Sequence, residues 1–319
     1  MRHICYKGTV RYMITIYYLN NHGTGSPVCP LVITLGDFDG VHIGHNELLK
    51  TAVNESAANN IRSAVWSLKY NHSKYPVPYL TDIREKISLF ESAGIDMAIF
   101  DDFESVKDYT PERFVDEILI EKFNCVTAVC GFNYHFGKNG SGTAKTLTRL
   151  MTERGRKCIV VNPVMYDSET VSSSRIRNHI INGDMEYVQA LLGRPFSIKL
   201  TVISGNRIGR TLGMPTINQI FPDRHIVPAN GVYCTRCDID GIVYNSVTNV
   251  GTRPTVTGGD AHIICETHII GYNGDLYGRE IKVSFYKKIR DEKKFASLDE
   301  LKQTIAANIK EAENYFENI

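Results

Sequence analysis

From residue 31 to residue 161 the chain alternates short apolar runs with segments of helical period. Leu31–Leu35, Arg62–Leu68, Met97–Phe100, Thr127–Cys130 and Cys158–Val161 have the length and apolar content of strands. Between them His45–Asn59, Asp82–Ala93 and Pro111–Lys122 read as helices. Ile83, Ile87 and Phe90 share one face of the second; Thr110 and Pro111 give the third an N-cap and a first-turn proline. Alternation at this spacing predicts a parallel sheet with right-handed crossovers, and such sheets take ligands beyond the carboxyl ends of their strands.

After Ser172–Leu192 the pattern changes. Gly193-Arg194-Pro195 is a break, and Ile198–Ile203, Gly231–Asp238, Tyr244–Asn249, His262–Ile270 and Glu280–Phe285 follow as strand-like runs separated by Gly, Pro and Asn. That is the pattern of a β-barrel. Leu298–Phe316 ends the chain as a helix with Leu298, Leu301, Ile305 and Ile309 on one stripe. The expected fold class is α/β. A parallel-sheet domain spans 31–186 and a β-barrel domain with a terminal helix spans 187–319, with 1–30 as an extension and lead-in.

A length of 319 residues suits two domains, and 43% hydrophobic with 22% charged residues excludes a disordered chain. Lys plus Arg number 36 against 35 Asp plus Glu, so no bulk positive field exists to hold nucleic acid. No run approaches the ~20 apolar residues of a membrane span. Tyr12–Leu19, behind Arg2, Lys7 and Arg11, imitates a signal peptide, but its apolar core is short and no small-residue cleavage site follows. Starting at Met13 would leave 1–12 as a tail. The eight cysteines are scattered; Cys234 and Cys237 are the close pair, without the second pair a zinc site needs. On a strand they point to opposite faces. The thiols read as structural and reduced, which places the chain in the cytoplasm.

The strand Leu31–Leu35 runs into Gly36-Asp37-Phe38-Asp39-Gly40-Val41-His42-Ile43-Gly44-His45 and then a helix. A helix N-terminus with nearby glycines is an anion site, and two histidines three apart on a first turn share a face. That suits charge stabilisation on a phosphorus undergoing displacement. Zinc would want a third ligand, and a capped helix with two surface histidines also fits the spacing. Val171-Ser172-Ser173-Ser174-Arg175-Ile176-Arg177 offers hydroxyls and a guanidinium for phosphate, or a plain serine cap. Gly140-Ser141-Gly142-Thr143-Ala144-Lys145-Thr146 imitates a P-loop, but Ala144 and Asn139 stand where that pattern needs glycine, and it reads as a flexible loop.

Together the first two elements resemble the HxGH nucleotidyltransferase superfamily, with its Rossmann-like fold. More closely, they resemble the adenylyltransferase half of bacterial bifunctional riboflavin kinase/FAD synthetases. Gly36–His45 is similar to that family's GxFDGVHxGH signature and Val171–Arg177 to its (I/V)SS(S/T)xIR; Leu80–Ser92, Tyr109–Leu119 and Cys130–Gly137 fit in order. The resemblance implies that Gly36, Phe38, Asp39, Gly40, His42, His45, Ser173, Ser174 and Arg177 bind ATP. It also implies that His42 and His45 are catalytic in passing AMP to FMN, and that Asn133 lies on the flavin side. His135 stands where the family commonly has Arg, and Leu68–Ser73 departs from its FxxHP-like segment.

Gly205–Asn218 is glycine-rich without being a Walker or Rossmann motif. Gly205, Gly209 and Gly213 let a loop wrap phosphates, and Thr216 and Asn218 supply hard oxygens at i, i+2, as Mg²⁺ prefers; a barrel corner with turn glycines has the same composition. The stretch resembles the GxxxGRxLGxPTxN motif of the riboflavin kinase domain. Asn249–Thr255 is similar to its NxGxRPT, Cys265–His268 to its vEvH-like strand, Asp275–Gly278 to DLYG and Arg290 to the Arg of iRxE. Leu200 stands where the family commonly has Gly. The resemblance, which runs from about Leu31 to Phe316, implies ATP and Mg²⁺ at the glycine-rich segment, with Thr216 and Asn218 on the metal. It implies Glu266 as general base and Glu266 with Arg290 at the flavin.

The expectation is a bifunctional transferase. It would phosphorylate riboflavin to FMN and adenylylate FMN to FAD, with Mg²⁺, ATP and flavins as its partners and neither nucleic acid nor membrane. It would be a monomer or weak homo-oligomer. The rivals are a riboflavin kinase with a weak or lost adenylyltransferase half and a non-catalytic flavin-binding regulator.

Overall fold

The computed structural model describes residues 15–18, 29–69, 77–205, 209, 213–253 and 262–319. Residues 1–12 and Met13, Tyr70–Ser73, most of 206–212, and Pro254 with Thr255 lie outside the described residues. The chain forms two compact units, Met1–Ser173 and Ser174–Ile319. The expected boundary at 186/187 falls inside a helix, Met185–Leu192.

The first unit is built on a parallel sheet. Its strands are β1 (Thr15–Tyr18), β2 (Leu31–Leu35), β3 (Arg62–Leu68), β4 (Met97–Asp101) and β5 (Cys125–Gly131). A hairpin of β6 (His135–Phe136) and β7 (Gly142–Thr143) precedes β8 (Lys157–Val161). The order is β1-β4-β3-β2-β5-β8, with every pair parallel. The lead-in thus supplies an edge strand, which its sequence did not announce. A second hairpin joins β9 (Met165–Tyr166) to β10 (Glu169–Thr170).

The central strands β2, β3 and β4 are buried on both faces because alternate residues feed two cores. Leu31, Ile33, Leu35, Trp66 and Ile99 belong to one, and Val32, Val65, Ala98 and Phe100 to the other. The helices that cover them are α1 (Ile43–Ala58), α2 (Ile83–Ser92), α3 (Phe103–Val106), α4 (Pro111–Arg113) and α5 (Ala144–Glu153). Thr110 caps α4 as expected, its hydroxyl accepting from the Arg113 N–H, and α4 widens into a π-helix over Phe114–Lys122. The P-loop imitation is not a flexible loop: Gly142 and Thr143 form β7, Thr143 caps α5, and Leu147, Leu150 and Met151 are buried.

The second unit opens with α6 (Ser173–Asn182) and α7 (Met185–Leu192). Six antiparallel strands follow: β11 (Phe196–Thr201), β12 (Thr216–Ile220), β13 (Gly231–Ile239), β14 (Ile242–Arg253), β15 (His262–Ile269) and β16 (Glu280–Arg290). They run in the order β11-β16-β13-β14-β15-β12. The sheet curls until its two edges meet, where Ile203 bridges Asn218 and the Gln219 amide donates to the carbonyls of Leu200 and Ile281. β12 was not among the predicted strands, since its Thr-Ile-Asn-Gln-Ile pattern is too polar to read as one. Val232, Cys234 and Val247 face outward beneath the terminal helix α8 (Leu298–Glu317). The alternate positions turn inward, where the hydroxyls of Thr235, Ser246, Thr248 and Thr267 bond to one another. Leu298, expected on the buried stripe, is 64% exposed; the helix buries Ala312 and Phe316 instead. Cys234 and Cys237 lie on opposite faces of β13, and every described cysteine is free.

Two candidate active sites

The first site lies at the carboxyl end of β2. Leu35 leads into a tight turn in which Phe38, Gly40 and Val41 take φ of +54°, +85° and +38°. Left-handed backbone at two non-glycine residues costs energy and needs external support. That support is visible. Phe38 is fully buried against Phe90, at 5.5 Å between ring centroids. The buried Asp39 carboxylate accepts from the N–H groups of Leu80 (2.9 Å) and Thr81 (3.2 Å), and the Gly40 N–H donates to the Thr81 hydroxyl (3.0 Å). The Ser173 hydroxyl donates to the Asp39 carbonyl at 2.8 Å. Asp39 and Phe38 therefore brace the turn from beneath, and Gly36 begins it by donating its N–H to Trp66 O.

The turn delivers two histidines to the start of α1. His42 is the N-cap, its Nδ1 accepting from the His45 N–H at 3.2 Å. The two rings stack with centroids 3.6 Å apart and 15° between planes. Gly44 makes room, because a Cβ there would stand 3.1 Å from His42 Cε1. The shared face expected from the spacing is present, with one ring buried and the other half-exposed. Asn133 is exposed in the turn after β5, and its carbonyl meets His135 Nδ1 at 2.8 Å. Ser174 and Arg177 stand on α6 in the second unit.

The second site is a row across the barrel. Asn218 on β12 faces Glu266 on β15, Glu266 faces Asn249 on β14, Asn249 faces Val232 on β13, and Val232 faces Arg290 on β16. Directly opposed residues share a face. The row therefore lies on the outer wall, where Val232 is covered by α8. A cavity of about 190 Å³ opens there, lined among others by Thr216, Asn249, Glu266, Arg290, Phe295 and Asn308. Arg290 Nε donates to Asn308 Oδ1 at 3.3 Å, and its guanidinium lies 5.6 Å from the Phe295 ring centroid; burial pushes its pKa down. Gly205 leans on Asn218, since a Cβ would stand 2.5 Å from Asn218 Nδ2. The Gly209 carbonyl accepts from the Met214 N–H, and Gly213 takes φ +78°.

The family model described as FAD synthetase matches residues 27–175, and the one described as riboflavin kinase matches 192–316. A bifunctional riboflavin kinase/FMN adenylyltransferase of Bacillus subtilis is 35% identical over 296 residues, 90% of this chain and 93% of the relative. The chain belongs to the bifunctional riboflavin kinase/FMN adenylyltransferase family. Relatives of the same name from Buchnera aphidicola and Escherichia coli K12 are 33% and 32% identical over 89% of this chain, covering 93% and 92% of their own lengths. A solved Streptococcus pneumoniae chain named a macrolide-efflux protein superposes with a TM-score of 0.85 at 29% identity, over 94% of this chain and 99% of that one. No helix among the described residues is long and apolar enough to cross a membrane.

Both halves of the family occur here in matching order, so this chain is a transferase with riboflavin kinase and FMN adenylyltransferase activity. ATP, riboflavin, FMN and FAD are its substrates and products. Sequence reading named candidate residues for both sites but missed much of what surrounds them in the fold. Asn249 stood in the NxGxRPT-like stretch, whereas Phe295 and Asn308 carry no signal until the fold brings them to the cavity. Lys86 did carry one: it shares the helix face of Ile83, Ile87 and Phe90, a place the pattern reserves for an apolar residue.

Proposed function

We propose that two separate residue sets perform the two transfers. In the first domain an FMN phosphate oxygen attacks the α-phosphorus of ATP, and pyrophosphate leaves. His42 and His45, stacked at the positive end of α1, stabilise the charge that gathers on the phosphate oxygens. Gly36 and Gly40 let the backbone approach the nucleotide, and Phe38 and Asp39 hold the turn in shape. Ser173, Ser174 and Arg177 at the start of α6 serve the phosphates, and Asn133 serves the flavin.

In the second domain Glu266 takes the proton of the riboflavin 5′-hydroxyl as that oxygen attacks the γ-phosphorus and ADP leaves. The observation that carries this reading is the register that sets Glu266 between Asn218 and Asn249. Gly205, Gly209 and Gly213 wrap the ATP phosphates. The residues present fit Mg²⁺: two neutral oxygens at i, i+2 on one strand face, beside a glycine approach that a Cβ would fill. Thr216 and Asn218 would hold the ion, which when bound neutralises triphosphate charge. Arg290, anchored by Asn308, closes over the flavin.

Free cysteines support a reducing, cytoplasmic setting, and the near-zero net charge supports small-molecule partners without nucleic acid. The chain works as a monomer or weak homo-oligomer, which sedimentation across a concentration series tests. The residue assignments are tested by assaying the two half-reactions separately. Glu266→Gln is expected to silence only riboflavin phosphorylation, and His45→Ala only adenylyl transfer from supplied FMN.

A further inference from the structure

Lys86 is a cation in a place where a cation is costly. It sits on α2 with its side chain 3% exposed. Its Nζ donates to the carbonyl of Asp37 at 2.7 Å. The Asp37 carboxylate is 3.6 Å away but 63% exposed, so water shares it and it compensates the buried charge poorly. Ile83, Ile87 and Phe90, on the same helix face, pack in the core around it, where an apolar side chain would cost nothing in desolvation.

The contact that Lys86 makes is specific. Asp37 opens the turn that carries Phe38 and Val41 in left-handed backbone and ends at the His42 cap. Its carbonyl takes a second donor, the Ser67 hydroxyl, at 2.8 Å. Two donors from two different elements, β3 and α2, thus fix one peptide plane. Two residues later Leu80 and Thr81, which precede the same α2, fix Asp39. The segment from Leu80 to Lys86 grips the first half of the turn at two points, by N–H groups on the Asp39 carboxylate and by an ammonium on the Asp37 carbonyl.

We propose that Lys86 is a positioning residue for adenylyl transfer: it pins the Asp37 carbonyl and holds the strained turn in register with α1. This inference rests on the reading that the turn binds ATP. A shift of the turn moves His42 and His45 together, and misplacement on the order of 1 Å costs up to about a hundredfold in rate.

The test compares wild type, Lys86→Met, Lys86→Arg and Ser67→Ala in both half-reactions. With FMN and Mg-ATP, Lys86→Met is expected to lower adenylyl-transfer kcat/KM for ATP about tenfold or more, with the KM for FMN unchanged. Lys86→Arg recovers part of the loss, and riboflavin phosphorylation by the same samples stays at the wild-type rate. Ser67→Ala, which removes the other donor to the same carbonyl, shows a smaller loss in the same direction. A merely structural lysine would lower the melting temperature and leave kcat and KM of the folded protein unaltered, and that result overturns the proposal. If Lys86→Met does not fold, Ser67→Ala decides, and wild-type kinetics there overturn it. A wild-type chain that makes no FAD would instead sink the assignment of the turn to ATP.

Discussion

Asn218 on β12 and Glu266 on β15 stand directly opposite one another in the antiparallel ladder. The pairing puts a carboxamide and a carboxylate side by side on the outer barrel wall, with Asn249 flanking from the other side. With Glu266 as the proposed general base, the riboflavin hydroxyl lies in the cavity lined by Glu266 and by Asn308 of α8.

Glu266→Gln keeps the shape and removes the base. Riboflavin phosphorylation should fall by about a hundredfold or more, with FAD formation from supplied FMN unchanged. Product chromatography of each half-reaction checks this. Equal losses in both would point to general unfolding.

Gly44→Ala tests the histidine pair. Its Cβ would meet the His42 ring at 3.1 Å, so the ring must shift by a few tenths of an ångström against its cap and its stacking partner. A strained cap costs up to about 1 kcal/mol, and alanine in place of a helical glycine returns about as much. Adenylyl transfer should therefore drop about tenfold or more with little change in melting temperature. Wild-type activity would show that the stacked arrangement is dispensable.

Much of this was legible before the structure. Leu31–Leu35 and Arg62–Leu68 lie where their apolar runs placed them, because strands buried on both faces are nearly continuous in hydrophobicity. His42 and His45 were identifiable because their chemistry is local, three residues apart on one turn. What escaped depends on contacts distant in sequence. β12 is stabilised by its neighbour β15, Thr15–Tyr18 by pairing with β4, and the Asp39 clamp by residues 41 and 42 positions away. Of the terminal stripe, Leu301, Ile305 and Ile309 are half-buried, and only Leu298, at the first position of α8, continues the apolar period into solvent.

Asp101 gives a pH signature. Burial at the end of β4 pushes its carboxyl above the ordinary range, against the pull of the Ser105 hydroxyl. Between the unfolded and folded pKa the folded chain holds more protons, so this group's stabilisation is present at low pH and is lost as pH rises through the folded value. Asp101→Asn removes the titration. Its melting temperature minus that of wild type should increase from pH 4 to pH 7; a difference that falls over that range contradicts the assignment.

The thiols divide by reactivity. The Cys130 S–H donates to Cys158 and draws the Cys158 thiol down, whereas burial pushes Cys125, Cys234, Cys237 and Cys265 up to about 12. Thiolate is the nucleophile, so iodoacetamide at neutral pH should label Cys158 well before those four. Peptide mass spectrometry over a time course reads the order. Earlier labelling of any of the four would mean that its strand opens more readily than its packing implies.

The central claim is that one chain performs two successive transfers at two separate sites. Its most direct test is a time course of purified protein with riboflavin and Mg-ATP, resolved by chromatography. The account predicts FMN first and then FAD, with pyrophosphate appearing only with the FAD. FMN that accumulates without FAD, or no conversion beside a working control enzyme, would contradict it.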